Sequence, residues 1–141
     1  MNKKSFSLIE IIFSLVLISV IATVAITKFD TSLENTHYAK IKSDIFQIRE
    51  GINNHKNKMI LKNEIESFTS LDENNQKLFS KILNAPIFAS NQKKATAWSK
   101  FSKTQYNVYL DATHSLIFTF DSQNYTFDCD HTNDICKKLF L

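Results

Sequence analysis

The chain has 141 residues, which allows one small domain and an anchor. It has 17 basic and 14 acidic side chains, a formal charge of +3, and a balance this close to neutral does not predict a nucleic-acid-binding protein. Gly51 is the only glycine and Pro86 the only proline, a composition that favours long helices and excludes a glycine-rich phosphate loop.

The first predicted element is a long apolar segment with one carboxylate near its start. The basic pair Lys3-Lys4 precedes it, and residues 11–27 are uncharged and free of helix breakers, close to the roughly 20 residues that span a bilayer. Glu10 is the only charged residue between Lys4 and Lys28. Because a charge at the centre of a spanning helix costs about 2.5 kcal/mol or more, Glu10 is expected to be functional.

Residues 3–27 resemble the N-terminus of type IV pilins and of the pseudopilins of type II secretion and competence systems. The family pattern is a short basic leader, a small residue, Phe, three mostly apolar residues and Glu, found here as Lys3-Lys4, Ser5, Phe6, Ser7-Leu8-Ile9 and Glu10. In this family a prepilin peptidase cuts before the Phe and N-methylates the new terminus. The resemblance therefore implies a leader at residues 1–5, cleavage between Ser5 and Phe6, and methylation of Phe6.

The chain departs from the family pattern at two positions. Ser5 stands where the family nearly always has Gly, and Thr27 stands near the place of a Pro that kinks the helix in many members.

The role of Glu10 follows from the same resemblance. After cleavage Phe6 would carry a free amine in or beside the membrane, and a buried ammonium and carboxylate are costly alone but tolerable as a pair. In the family the carboxylate is thought to neutralise the amine of a neighbouring subunit. This implies that Glu10 is an assembly residue, with other pilin or pseudopilin subunits, the prepilin peptidase and an inner-membrane assembly platform as partners. The alternative is that Glu10 lies at the membrane surface before an ordinary anchor.

Helical periodicity continues beyond the apolar segment. Apolar residues recur at three- and four-residue steps and predict an amphipathic face, namely Phe29, Leu33, Ile41, Ile45, Ile48 and Ile52. Polar residues fall mostly on the other side, namely Lys40, Lys42, Asp44, Gln47 and Arg49. We predict one helix from about residue 6 to about residue 57, whose part at 6–28 is transmembrane and whose later part backs a globular head at 29–141. Two helices with a break near residues 30–35 are the alternative.

A second helix is predicted at Ser70–Leu83. Ser70 and Glu73 have the spacing of a capping box, and Pro86 would stop the helix. Its apolar face would consist of Leu71, Leu78, Phe79, Ile82 and Leu83.

The next segment, residues 90–104, is polar and basic. It places Lys93, Lys94, Lys100 and Lys103 around two aromatic residues, Trp98 and Phe101. Aromatic side chains interleaved with lysines can bind single-stranded nucleic acid. The favoured alternative is an amphipathic turn or short helix with Trp98 and Phe101 in the core, because the net charge does not call for a nucleic-acid surface.

The C-terminal third changes to an alternating pattern. Three aromatic-rich runs, residues 106–111, 116–121 and 125–129, are separated by turn residues and predict a three-stranded antiparallel meander. The amphipathic part of the long helix is available to cover one face of this sheet. The fold class is therefore α+β, with a long N-terminal helix packed on a small antiparallel sheet, which again resembles a small pilin or pseudopilin.

Cys129 and Cys136 are the only cysteines, in a segment expected to lie outside the inner membrane, where a disulfide is the expected state. Closing so short a loop would stabilise the fold by about 2.5 kcal/mol on the chain-entropy model. A C-terminal disulfide loop is also common among pilins.

The C-terminal loop offers ligands for two alternative metal sites. Both cysteines with His131 offer three zinc ligands and lack an evident fourth. The oxygen-rich run, Asp128, Asp130, Asn133 and Asp134, offers calcium ligands, as some major pseudopilins do near their C-terminus, but it lacks the glycine and glutamate of an EF-hand loop. A solvated acidic turn is favoured, with no metal and no cofactor expected.

No enzyme signature surrounds the four dispersed histidines, His37, His55, His114 and His131, so we expect a non-enzymatic protein. The favoured function is a pseudopilin or minor pilin of a type IV pilus-like filament in type II secretion or DNA uptake. Lys3 and Lys4 place the N-terminus in the cytoplasm, and the head in the periplasm. The alternative is a single-pass, membrane-anchored periplasmic binding protein that does not polymerise.

Overall fold

A computed structural model describes residues 7–63 and 68–140 of the protein, with only the backbone described for residues 26–34. The elements in chain order are α1 (Leu8–Leu61), β1 (Lys77–Leu78), β2 (Ile87–Phe88), β3 (Trp98–Lys100), β4 (Gln105–Tyr109), β5 (Ser115–Asp121), β6 (Thr126–Cys129) and α2 (Asp134–Phe140). The chain divides into two compact units, the first ending at Thr36 and the second beginning at His37. The second unit, which begins at His37, is called the head below.

The predicted long helix is confirmed over the described residues. Helix α1 runs for 54 residues from Leu8 to Leu61, and its backbone is helical through residues 30–35, so the alternative of two helices is wrong. The N–H groups of Glu10 and Ile11 donate to the Ser7 carbonyl at 3.0 and 3.2 Å and form the first turn. The predicted start at Phe6 lies outside the described residues.

The head contains a four-stranded antiparallel meander in the order β3-β4-β5-β6. Strands β4, β5 and β6 confirm the three predicted strands. Strand β3 was not predicted, because the residues around Trp98 looked like a basic turn. Trp98 pairs with Val108 across the β3-β4 ladder, so the predicted turn or short helix at this place is wrong.

One face of the sheet packs against α1 to form the core. Four isoleucines of α1 are buried, which confirms the predicted amphipathic face over this stretch, while the side chains of Phe29 and Leu33 lie outside the described residues. Alternate residues of the sheet cover these isoleucines, as expected for strands with one buried face. Helix α1 and the sheet contribute the core members Ile41, Ile45, Ile48, Ile52, Trp98, Tyr106, Val108, Leu116, Phe118, Phe120, Phe127 and Cys129.

The prediction of a second helix at Ser70–Leu83 is wrong. This segment forms turns and the short strand β1, which pairs with β2. The Ser70 hydroxyl donates to the Asp72 carbonyl at 3.0 Å instead of capping a helix, and Asn74 Oδ1 accepts from the Lys77 N–H at 2.8 Å. Phe79 has a φ of 61°, which a right-handed helix cannot contain. The apolar residues of this segment nonetheless belong to the core or pack against it: Leu71, Leu78 and Phe79 are buried, and Ile82 and Leu83 are partly buried.

The only glycine marks the closest approach of this segment to α1. A Cβ at Gly51 would lie 2.7 Å from the Ile82 carbonyl oxygen and 3.2 Å from Ile82 Cβ. A side chain at this position would therefore push the helix away from the segment that precedes β2.

Candidate functional site

The apolar start of α1 exposes all of its side chains. Residues Leu8–Ala25 have a mean hydropathy of 2.6 over 18 residues and none is buried; Leu8 is 76% exposed and Ile21 67%. By length and composition this stretch is sufficient to cross a membrane. A helix that is apolar all round belongs in a membrane or among other helices.

The hydroxyl groups of this stretch are satisfied within the helix. Ser14 and Thr23 donate to the carbonyls of Glu10 and Ser19, each at 2.8 Å, and Ser19 donates to the Val16 carbonyl at 2.7 Å. Such bonds to the preceding turn let hydroxyls sit in hydrocarbon without an external partner.

Glu10 differs from these hydroxyl residues. Its side chain is exposed in the first turn of α1, where the positive end of the helix dipole favours an anion. Within residues 7–63 and 68–140, no recorded hydrogen bond or ion pair involves its carboxylate. Ser5 and Phe6, the predicted cleavage and methylation residues, lie outside the described residues.

The head contains two buried aspartates, Asp44 and Asp72, whose burial was not predicted from the sequence. Asp44 was predicted to face away from the core, and this is wrong: it is buried, it accepts from Trp98 Nε1 at 3.1 Å, and it pairs with Lys40. An indole N–H in a core needs an acceptor, and Asp44 supplies it from α1. The hydrogen bond between Trp98 and Asp44 therefore fixes β3 on α1.

Asp72 fixes the segment Ser70–Leu83, called the irregular segment below, to the sheet in the same way. Its side chain is fully buried, pairs with Lys100, and accepts from the Tyr106 hydroxyl at 2.8 Å. Burial raises the pKa of Tyr106 well above its usual range, and the hydrogen bond and charge of Asp72 raise it further. Tyr106 is therefore a neutral donor throughout the physiological range.

A disulfide closes the C-terminal loop, and Arg49 of α1 contacts this region. Cys129 and Cys136 form the predicted disulfide, with their Cα atoms 6.1 Å apart. Arg49 donates to the Phe127 carbonyl at 2.9 Å and to Asp128 at 3.1 Å, and it lies over the Phe140 ring at 4.6 Å. Helix α2, which was not predicted, is thus linked to β6 by the disulfide and contacts α1 through Phe140 and Arg49.

Several of the candidate metal ligands in the C-terminal loop have partners within the chain. The disulfide uses both sulfurs that a zinc ion would need. Asp130 accepts from the N–H and hydroxyl of Thr132, each at 2.8 Å, and these bonds hold the pKa of Asp130 below its usual range. Asp128 pairs with Arg49, and Asn133 Oδ1 accepts from the Ile135 N–H at 2.9 Å. This geometry is typical of an acidic turn.

A groove of about 490 Å³ opens on the head beside the β3-β4 turn. Phe101, predicted to be in the core, is 68% exposed and lines this groove, so that prediction is wrong; Trp98 is in the core as predicted. The groove is otherwise mostly polar, and its lining comprises Asn75, Ala89, Asn91, Ser99, Lys100, Phe101, Ser102 and Lys103.

Three of the histidines have recorded contacts, each with a different neighbour. His55 packs edge-on against Phe68, His114 lies 2.7 Å from Asp111, and His131 lies 3.1 Å from Asp128. Among the described residues, these contacts bring no two histidines together.

Comparison with known proteins identifies the N-terminal segment. The prokaryotic N-terminal methylation motif matches residues 1–26. Searches of curated proteins and of solved structures gave no significant match. The motif, the exposed apolar helix and the α+β head agree with one another, and the chain therefore carries the prepilin signature of type IV pilin-like proteins at its N-terminus.

Proposed function

We propose that this protein is a pseudopilin or minor pilin, a structural subunit of a type IV pilus-like filament in type II secretion or DNA uptake. One observation carries the proposal: Glu10 is the only charged residue of the exposed apolar stretch Leu8–Ala25, which lies within the matched methylation motif. Prepilin peptidase cuts between Ser5 and Phe6 and methylates Phe6, and the Glu10 carboxylate then pairs with the terminal amine of a neighbouring subunit.

Topology follows from the charge at the N-terminus and from the disulfide. Lys3 and Lys4 favour a cytoplasmic N-terminus, which puts the head across the inner membrane. The Cys129–Cys136 disulfide suits an oxidising compartment such as the periplasm. The motif suggests a structural role, and we propose no enzymatic activity.

The first test is the mass of the mature protein from its native host. We expect a chain that begins at Phe6 and carries one additional methyl group. Retention of residues 1–5 would reject the filament proposal in favour of the alternative, an anchored periplasmic binding protein whose groove takes a ligand.

The second test removes the charge at Glu10. Glu10→Gln keeps the size of the side chain but leaves the terminal amine without its counter-ion, and losing one partner of a buried pair costs about 3–5 kcal/mol. We therefore expect normal membrane insertion and an incorporation into filaments at least about a hundredfold lower. Ser14→Ala, one turn along the helix, removes a hydroxyl that bonds only to its own helix and should assemble normally. Normal assembly of Glu10→Gln would remove Glu10 from the mechanism.

A further inference from the structure

The turn between β3 and β4 presents an aromatic ring to solvent on a rigid support. The N–H groups of Phe101 and Ser102 both donate to the Gln105 carbonyl, at 2.9 and 3.0 Å. The Gln105 N–H donates back to Ser102 Oγ at 3.2 Å. The backbone at Phe101 is therefore held by the turn, and its side chain is 68% exposed, although burying the ring would be favourable by about 1.5–3 kcal/mol.

Positive charge is concentrated in the segment of the chain that contains Phe101. Residues 90–104 contain four lysines and no acidic residue. Lys100 is paired with Asp72, whereas Lys93, Lys94 and Lys103 are exposed and have no recorded ion pair within the described parts of the chain. The near-neutral charge of the whole protein therefore conceals a local excess of three positive charges.

The groove beside Phe101 has the size and chemistry of a nucleotide site. Its volume of about 490 Å³ falls within the 300–1,000 Å³ range of small-ligand pockets. Asn75 and Asn91 contribute amide groups, and Ser99 a hydroxyl, to its wall, and such groups hydrogen-bond to base edges. Lys103 lines the groove, and Lys93 follows Asn91 by two residues.

We infer that this groove binds single-stranded nucleic acid, with an unpaired base stacked on Phe101 and the phosphates held by Lys93, Lys94 and Lys103. A single strand is favoured over a duplex because only an unpaired base offers a free face for stacking. The inference concerns the head alone and does not depend on filament assembly.

The test measures binding of a fluorescent 15-nucleotide oligothymidine to the full chain in neutral detergent micelles. Three phosphate contacts predict that log K falls with log salt with a slope of about −2. Phe101→Ala should weaken binding by roughly tenfold or more, the usual effect of losing one stacked base. Lys103→Gln should flatten the slope by about 0.7.

Matched controls separate this site from the rest of the surface. Phe88 is 69% exposed on β2 and does not line the groove, so Phe88→Ala should bind as the unmodified protein does. Lys42 is exposed on α1, so Lys42→Gln should leave the slope unchanged. Unchanged Trp98 fluorescence in each variant shows that the core is intact.

Three results would overturn the inference: no binding at low salt, equal effects of Phe101→Ala and Phe88→Ala, or equally strong binding of a duplex or of anionic lipid vesicles. The last result would mean simple attraction to polyanions. Filament assembly by the Phe101→Ala variant is a separate readout, so failure here leaves the filament proposal intact, and failure of assembly leaves this one intact.

Discussion

Substituting the only glycine tests how tightly α1 packs on the irregular segment. In an ordinary helix interior, Gly51→Ala would stabilise the protein by about 1 kcal/mol through helix propensity. Here the new methyl would lie 2.7 Å from the Ile82 carbonyl oxygen, whereas carbon–oxygen contacts are normally about 3.3 Å or longer. Because the neighbour is backbone, the helix or the segment must move by more than about half an ångström, and overpacking of this kind costs about 1–3 kcal/mol.

The overpacking term should exceed the propensity term, so we expect Gly51→Ala to lower the free energy of unfolding by about 1 kcal/mol. Gly51→Val should lower it further. Trp98, the only tryptophan, is 1% exposed in the core, and its fluorescence reports unfolding of the head. With a urea m-value of about 2 kcal/mol/M, the unfolding midpoint of Gly51→Ala should fall by about 0.5 M.

Asn53 provides the matched control two residues along α1. Its side chain is exposed, so Asn53→Ala should raise the midpoint through propensity alone, by a few tenths of a kcal/mol. If Gly51→Ala also raised stability, the close contact between α1 and Ile82 would be wrong, and the reasoning with it.

Three further predictions concern the head. Reducing the Cys129–Cys136 disulfide should lower its stability by about 2.5 kcal/mol, and an unchanged urea midpoint in reductant would contradict this. Asp72→Asn leaves a largely buried lysine without its counter-ion and should cost about 3 kcal/mol, whereas the exposed neighbour Glu73→Gln should cost almost nothing; equal midpoints would refute a stabilising role for the pair. Because the pKa of Tyr106 is raised in the folded state, the unfolded chain releases this proton first, and stability should fall above about pH 10 by about 1.4 kcal/mol per pH unit. Tyr106→Phe should remove that part of the slope, and an identical pH dependence in the variant would count against the assignment.

Elements with a strong internal period were predictable from the sequence. The continuous helix, the four buried isoleucines and strands β4–β6 could each be predicted from the spacing of apolar residues. A helix or strand with one buried face needs apolar residues at its own regular interval. The disulfide was predictable because only two cysteines are present and the head was expected in an oxidising compartment. In each case the feature that determines the structure can be seen in the sequence itself.

Elements whose cause is tertiary were not predictable in the same way. Strand β3 has only three residues, too few to show alternation, and it forms because β4 offers a free edge and Asp44 an acceptor for Trp98. Phe101 follows one residue after β3 and has an apolar side chain, so composition alone suggested the core. Its exposure is set by the hydrogen-bonded turn, which no local pattern specifies.

The burial of Asp44 was not predicted, although the helical period of the sequence indicates it. At 100° per residue, the period of 3.6 residues per turn, Asp44 falls about 60° from Ile41 and about 40° from Ile48, inside the edge of the buried face. An acid at that angle must find a donor across the core or remain uncompensated. The indole N–H of Trp98 is such a donor.

The prediction of a second helix at Ser70–Leu83 was wrong for the opposite reason. The local sequence does favour a helix there, but tertiary contacts favour another backbone more strongly. Its capping box and apolar spacing together favour a helix by about 1–2 kcal/mol. The observed turns instead bury Leu71, Leu78 and Phe79 and give Asp72 its contacts with Lys100 and Tyr106. Burying three large apolar side chains is worth several kcal/mol, which exceeds the local preference even after the strain of Phe79 at positive φ, about 1–3 kcal/mol, is subtracted. The apolar residues were therefore identified correctly as core while the backbone that delivers them was not.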